Sequence, residues 1–516
     1  MSSTTKNNKQ IAKNTLLLYV RMLLLMIVNL YTSRLVLNAL GIGDYGIYNV
    51  VGGMVAMFSI LSGSLSSAIS RFITYELGKG CQKSLNKIFS SAVTIQIGLA
   101  LIIAILAETV GFWFLNTKMI IPVHRLEAAN WVFQFSILTF IINLISVPYN
   151  ACIIAHEKMS AFAYISLLEA SCKLIIALLI VTAPIDKLKF YAILMCAIAI
   201  LIRFTYGNYC KKHFKECHYH FIWDKDLLKR MWAFAGWNFI GASSAVLRDQ
   251  GGNIVINLFC GPSINAARGI ASQVSNTIQS FVSNFMTALN PQITKSYASE
   301  DYPYMMTLIF QGARFSFYLL LLLSLPVLIN THYILQLWLK IVPEHTVLFI
   351  QLILLFAISE SLSQPLITAM LATGKIRNYQ IIVGGLQMLN LPLSYILLRL
   401  GSIPEIIIII SIIISQLCLA ARLILLKKMI NLSVKKFLRQ VYLNVLSVAI
   451  ISSIIPLIFS NLIYESFFGF ILLSTISTVC VCISIYYVGC TNKERSLISK
   501  KIHKFILKNH KKASSL

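Results

Sequence analysis

Apolar runs of about 20 residues recur along the chain, from the stretch around Leu24 to the one around Val479. About 20 residues at 1.5 Å each is the length a helix needs to cross roughly 30 Å of hydrocarbon. Such segments are covered either by other protein or by lipid, and composition decides between the two. The 516 residues are 57% hydrophobic and only 12% charged, against about 25% charged in soluble domains, and the mean hydropathy is +0.77. A soluble core cannot absorb so much apolar surface. In lipid each backbone polar group must be satisfied within the protein, which here leaves helices. The expectation is an all-α polytopic membrane protein.

Hydropathy places about fourteen spans, centred near Leu24, Ala56, Ala100, Ile141, Leu174, Ala197, Ala245, Gln279, Leu320, Leu355, Leu386, Ile412, Ala449 and Val479. The net charge of +26 raises the question of a polyanion partner, and the positions of the cations answer it. With both termini placed inside, the inner segments collect Lys6, Lys13, Arg71, Lys79, Lys87, Lys158, Lys211, Arg230, Lys295, Lys375, Arg377, Lys427 and Arg439, among others, plus the tail from Lys493. The opposite loops hold Lys118, Arg125, Lys187, Lys189, Lys340 and Arg399. That asymmetry reads as membrane orientation, N-in and C-in, and not as a nucleic-acid groove. The stretch from Lys500 to Lys512 suits an interfacial anchor to anionic lipid.

The polar start, Met1 to Asn14, resembles a signal-peptide n-region, but the apolar stretch after it runs past Leu30 without a small-residue cleavage site and is expected to remain as the first span. Eleven cysteines lie scattered in apolar segments or inner loops, so no disulfide framework is expected. Cys210, His213, Cys217, His218 and His220 lack paired zinc-ligand spacing and read as a solvated basic loop.

The chain also repeats itself. LVLN at Leu35–Asn38 is echoed by IVIN at Ile254–Asn257, 219 residues on; Pro122 and His124 recur as Pro343 and His345; Pro148, Ala155 and Lys158 recur as Pro365, Ala372 and Lys375. Three matches in order at one spacing indicate a duplicated six-helix unit. An even helix number inserts both copies in the same orientation, a parallel repeat of the kind transporters build a site between. The expected organisation is an N-lobe over residues 1–230, a C-lobe over 231–428, two extra spans over 429–490 and a basic tail over 491–516.

Two polar stripes run inside the expected spans. Ser272, Gln273, Asn276, Gln279, Ser280, Ser283, Asn284 and Thr287 share one face of the eighth span, and Ser59, Ser62, Ser66 and Ser70 share one of the second. The first set suits a hydrated cavity; the second suits either a cavity or close helix packing. Charges away from span ends cost roughly 2.5–3.5 kcal/mol each to insert, which makes each a site candidate: Arg21, Glu169, Lys173, Arg248, Asp249, Arg314 and Glu360. Glu169 and Lys173, four apart, can neutralise each other. Arg248 and Asp249 are adjacent and point about 100° apart, so each is expected to have its own partner. Arg34, Glu108, Arg203, Arg268 and Arg422 lie near span ends, where snorkelling accounts for them. Arg21, Arg248 and Arg314 suit diphosphate or carboxylate oxygens, while Asp249 and Glu360 suit a coupling H+ or Na+. The structural alternative for every one of them is a buried ion pair that holds the bundle together.

No Walker lysine motif, HExxH or GxSxG occurs, and the GIGDYG string at Gly41–Gly46 follows no strand and reads as a turn. The loops are too short to house a catalytic domain, so no enzyme and no cofactor are expected.

The run TLLLYVRMLLLMIVNLYTSRLVLNALGIGDYGIYNVVGG, then SSAISRFITYELGKG, and later NPQITKSYASED and ATGKIRNYQII, resemble the bacterial polysaccharide-transport flippases of the multidrug/oligosaccharidyl-lipid/polysaccharide (MOP) exporter superfamily. The resemblance covers at least spans 1 to 11. It implies two six-helix lobes in a MATE-like V shape, alternating access, and a cationic cavity for a polyprenyl-diphosphate-linked oligosaccharide in the bacterial inner membrane. It brings in Arg34 beside Arg21 as a substrate candidate. With Arg248, Arg314, Gln273, Asn276, Gln279 and Asn284 these make up the candidate substrate set, and Asp249 and Glu360 the ion-coupling set. The implied partners are the lipid-linked substrate, membrane lipids, and polysaccharide polymerase and chain-length proteins. The alternatives are a cation-coupled multidrug antiporter of the same superfamily, a non-transporting scaffold of a glycan-assembly complex, and a membrane glycosyltransferase.

Overall fold

The computed structural model describes residues 3–496 and 499, except 57, 118, 120, 184, 340, 341, 461, 463–465, 493, 497 and 498. Lys118, Lys340, Lys493 and the tail from Lys500 lie outside the described residues, and so does the anchor expected there. The described residues are helical throughout, with no strand among them. In chain order the helices are α1 (Ser3–Ala56), α2 (Ser59–Lys79), α3 (Gln82–Thr117), α4 (Val123–Ala155), α5 (Met159–Thr182), α6 (Lys187–His213), α7 (Lys225–Ala298), α8 (Tyr302–Ile329), α9 (Thr331–Leu339), α10 (Thr346–Ser361), α11 (Gln364–Thr373), α12 (Arg377–Arg399), α13 (Ile406–Ile430), α14 (Val434–Ser460) and α15 (Phe467–Gly489).

Among the described residues ten helical stretches are long and apolar enough to cross a membrane, and eleven if α10 and α11, bent by 41° at their junction, form one broken span. Their outer faces are unpaired apolar surface, with Leu101 at 61%, Ile450 at 63% and Phe468 at 75% exposed, which only lipid covers at low cost. The chain is a multi-pass membrane protein. Three of the fourteen expected segments, around Ala56, Ala245 and Gln279, are helical but fall outside that count. They are the segments that carry the serine stripe, Arg248 and Asp249, and the amide face.

The duplication is written in the backbone. Helix α1 breaks at Gly41 (φ 76°, ψ 168°) and α7 breaks at Gly261 (φ 81°, ψ 177°), 220 residues apart. This corner of conformational space is accessible essentially to glycine alone, so each break folds one continuous helical run into two successive rods. Left-handed residues recur at Gly80 and Glu300 after the second rods, and at Glu157 and Gly374 in the turns α4–α5 and α11–α12. A side-chain contact recurs too. Arg125 at the start of α4 binds Asp186 before α6 at 2.5 Å, and His345 before α10 binds Glu405 before α13 at 2.5 Å. Asp44 joins the first pair from the α1 turn.

By compactness the chain forms two units that do not follow chain order. The first comprises Met1–Ser244, Thr287–Met305 and Thr368–Gly384; the second comprises Ala245–Met286, Met306–Ile367 and Gly385–Leu516. In the first, Leu18, Met159 and Ala288 are fully buried against Ile154 and Phe162. At the basic ends of its helices, contacts are exchanged between repeat-equivalent parts. Lys295 and Gln292 near the end of α7 donate to the Glu157 carboxylate at 2.6 and 2.7 Å. Correspondingly, Arg71 of α2 donates to the carbonyl of Ala372 at 2.9 Å. Between them α2 and α7 touch so closely that a Cβ on Gly78 would meet that of Ala298 at 2.7 Å.

Candidate functional site

In the first unit Arg21 sits on α1 with its guanidinium 4.2 Å from the centre of the Phe162 ring, and its Nε is buried without a hydrogen-bond partner. Arg34, further along α1, is exposed. Glu169 and Lys173 pair with each other at 2.6 Å, the i,i+4 neutralisation their spacing implies.

The second unit holds the remaining candidates and corrects three expectations. Arg248 and Asp249 do not find separate partners: Arg248 Nε and Nη2 donate to the two Asp249 carboxylate oxygens at 2.9 and 3.3 Å. The Cβ vectors diverge, but arginine's long stem curls around the helix and its fork takes both oxygens. Arg248 also lies 5.0 Å from the Phe356 ring. Arg268, expected to snorkel, is instead buried at 7% exposure and donates to the Asp249 carbonyl at 3.0 Å and to Asn253. Arg422, also expected at an interface, is 1% exposed; it donates to Ser363 at 2.7 Å and lies 3.5 Å from Glu360. Glu360 accepts from Ser415 at 2.5 Å as well, so this acid has partners from elsewhere in the chain that its own neighbourhood does not show.

Arg248 with Asp249 and Arg422 with Glu360 thus form two ion pairs, and Arg268 is held on the Asp249 backbone carbonyl. Arg314 is held apart from them: it binds Glu494 at 2.8 Å and the Gly489 carbonyl at 3.0 Å. It has taken up the interhelical role that was the alternative for each buried charge.

The amide face of α7 is uncovered. Gln273 and Asn276 are exposed, while Gln279 and Asn284 are half-buried and donate to Ser275 Oγ and the Ser280 carbonyl at 2.8 Å each. The opposite face, Ala271, Ile278, Val282 and Met286, is the buried one.

One cavity was not foreseen as a site. In the first unit a cleft of about 790 Å³ opens between the end of α2, the start of α3, the start of α7 and the α11–α12 turn. Arg71, Lys79, Lys87, Arg230, Lys375 and Arg377 line it. Each was visible in the sequence as an orientation charge; their convergence depends on three stretches distant in the chain, 71–88, 224–237 and 373–377. Arg71 is mounted among rings, 4.8 Å from Phe72 and 4.6 Å from Tyr75, while Lys79 lies over Tyr75 and Arg377 over Trp237. Among the described residues no group of His, Cys, Asp and Glu has the makings of a metal site.

A family model described as "Polysaccharide biosynthesis protein" matches residues 11–297, more than half of the chain. The chain belongs to the polysaccharide biosynthesis protein family. A second model, MatE, matches residues 252–396 of this polysaccharide biosynthesis protein, across the second helix break. Its fold is that of MATE transporters. A MATE protein in the bent conformation superposes with a TM-score of 0.71 at 12% identity, covering 82% of this chain and 96% of that one. A multidrug resistance MATE family transporter of the MOP superfamily in an outward-facing conformation gives 0.70 at 11%, covering 82% and 96%. A MOP superfamily transporter from Pyrococcus furiosus, described as having reversed polarity in its binding pocket, gives 0.68 at 12%, covering 84% and 98%. No curated protein sequence matches. The two family matches and the shared fold together place the chain among MOP-superfamily exporters.

Proposed function

We propose that this transporter is a flippase that moves polyprenyl-diphosphate-linked oligosaccharide repeat units across a bacterial inner membrane by alternating access, supplying O-antigen, capsule or exopolysaccharide synthesis. The observation that carries the reading is the polysaccharide-biosynthesis match over residues 11–297. That stretch includes Arg21, Arg34, Arg248 and the exposed amide face of α7. Arginine forks suit diphosphate oxygens, and amides suit sugar hydroxyls. The Lys and Arg distribution supports N-in, C-in orientation, so the lipid-linked sugar is received at the basic ends of the helices. Polymerase and chain-length proteins would take the product. Asp249 and Glu360 are the acids available for coupling to H+ or Na+, the repeat boundary near residue 230 separates the two lobes, and spans 13 and 14 are an addition to the transport core.

The test is deletion of the gene in its native host. Surface polysaccharide is expected to disappear while undecaprenyl-linked repeat units accumulate inside, with rescue by the wild-type gene and not by Arg21→Ala or Arg248→Ala protein that still inserts. Normal surface glycan in a host without a second flippase overturns the reading. The MatE match over residues 252–396 supports the rival, a cation-coupled drug antiporter, which predicts drug sensitivity on deletion and an intact glycan.

A further inference from the structure

We propose that the cleft among α2, α3, α7 and the α11–α12 turn is a docking site for the diphosphate head of a glycan-bearing amphiphile, occupied before the substrate enters the transport path. The amphiphile's identity rests on the flippase reading; the anion site rests on geometry alone. Six cations face about 790 Å³ with two carboxylates, Glu76 and Asp224, on the same walls, an excess of four positive charges. Asp224 is already engaged, capping α7 by accepting from the Leu227 amide at 3.0 Å. None of the six cations forms an ion pair with a carboxylate among the described residues. Cations gathered at this density and outnumbering the carboxylates raise the local concentration of anions.

The site is also built, not only charged. Arg71 is fixed by the Ala372 carbonyl and by its flanking rings, and its Nε is buried with no partner in the protein. Gly374 makes room for it: φ is 75°, and a Cβ there would meet Arg71 Nη2 at 2.6 Å. Arg71 is therefore held as a preorganised donor, of the kind that suits a planar or tetrahedral oxyanion. Tyr75 and Trp237 beneath Lys79 and Arg377 add ring faces on which a sugar can lie. The cleft lies at the basic ends of the helices, where a diphosphate between a lipid tail and a glycan would arrive in the orientation proposed above.

Three anions share this chemistry: a glycan-lipid diphosphate, a bulk anionic phospholipid and free pyrophosphate. Full-length protein in phosphatidylcholine nanodiscs would be titrated with undecaprenyl diphosphate, phosphatidylglycerol and inorganic pyrophosphate, reading the change in tryptophan fluorescence that is lost in Trp237→Phe, which leaves the other five tryptophans in place. Undecaprenyl diphosphate is expected to bind at least tenfold more tightly than phosphatidylglycerol. Pyrophosphate is expected to compete with it, and Arg230→Gln with Arg377→Gln to weaken binding at least tenfold. Both side chains are exposed, so the fold should tolerate the change; Arg71→Lys, which keeps charge and loses the fork, should also weaken binding. Equal binding of phosphatidylglycerol, binding of pyrophosphate with no gain from the lipid tail, or undiminished binding by the variants each overturns the proposal. Nanodisc binding involves no translocation, so it fails or stands apart from the deletion phenotype. Lost glycan with undiminished variant binding removes the dock and keeps the flippase. Tight, variant-sensitive binding with intact surface glycan keeps the dock and removes the flippase.

Discussion

Glu360 shows how a single residue's role turns on its contacts. With Ser415 at 2.5 Å and the fully buried Arg422 at 3.5 Å, it is a member of an interior ion pair before it is anything else. Removing one partner of such a pair leaves an uncompensated charge and costs about 3–5 kcal/mol. Glu360→Ala is therefore expected to lower the thermal midpoint sharply in detergent, and the double change Glu360→Leu with Arg422→Met to recover most of it. If Glu360 instead carries the coupling proton, Glu360→Gln will retain the wild-type midpoint and lose transport. Glu216, in the loop after α6, gives a pH-dependent test. Burial alone would raise its pKa, but hydrogen bonding to His156, to backbone and to Gln82 outweighs that and holds it below the ordinary carboxylate value. A depressed acid stabilises the fold above its unfolded pKa, about 4.3 for Glu, and that contribution disappears as pH falls through the lower folded value. Unfolding midpoints measured between neutrality and pH 3 should fall at the acid end, and Glu216→Gln should flatten the fall.

At the scale of elements, the two helix breaks are the features sequence repetition led up to. A Cβ on Gly41 or Gly261 meets nothing within 4 Å, so alanine there is opposed only by backbone conformation, about 1–3 kcal/mol for such a φ/ψ region. Gly41→Ala and Gly261→Ala should destabilise by similar amounts, since the two breaks are the same structure used twice; unequal losses would show that the copies carry different loads. The exposed amides of α7 make the opposite kind of prediction. Asn276→Leu and Gln273→Leu leave packing untouched, so midpoints should stay within about 0.5 kcal/mol while glycan export in the complemented deletion strain drops. Unchanged export with raised stability would place that face against lipid.

Across the molecule, the membrane class, the helical architecture and the duplication were legible in the sequence. They depend on local properties summed over many residues: twenty-residue apolar runs and a spacing of 217–221 residues between like motifs. Of the fourteen segments hydropathy picks out, all are helical among the described residues and eleven meet the length and composition of a span when the bent pair α10–α11 is taken as one. Pairing was not legible in the same way. Glu169 with Lys173 follows from helix periodicity. Glu360 with Arg422, Arg314 with Glu494, and Glu157 with Lys295 join residues 62, 180 and 138 positions apart, and sequence carries no distance across a fold. The basic cleft is the clearest case, because Arg71, Arg230 and Arg377 each read as an orientation charge until three distant chain stretches meet around one space. The solvent, the helices and their repetition are written in the order of residues alone, since they follow from side-chain transfer energies and backbone hydrogen bonding within each segment. Which charges are neutralised and which remain available to a ligand is settled by packing, because it depends on which helices come together.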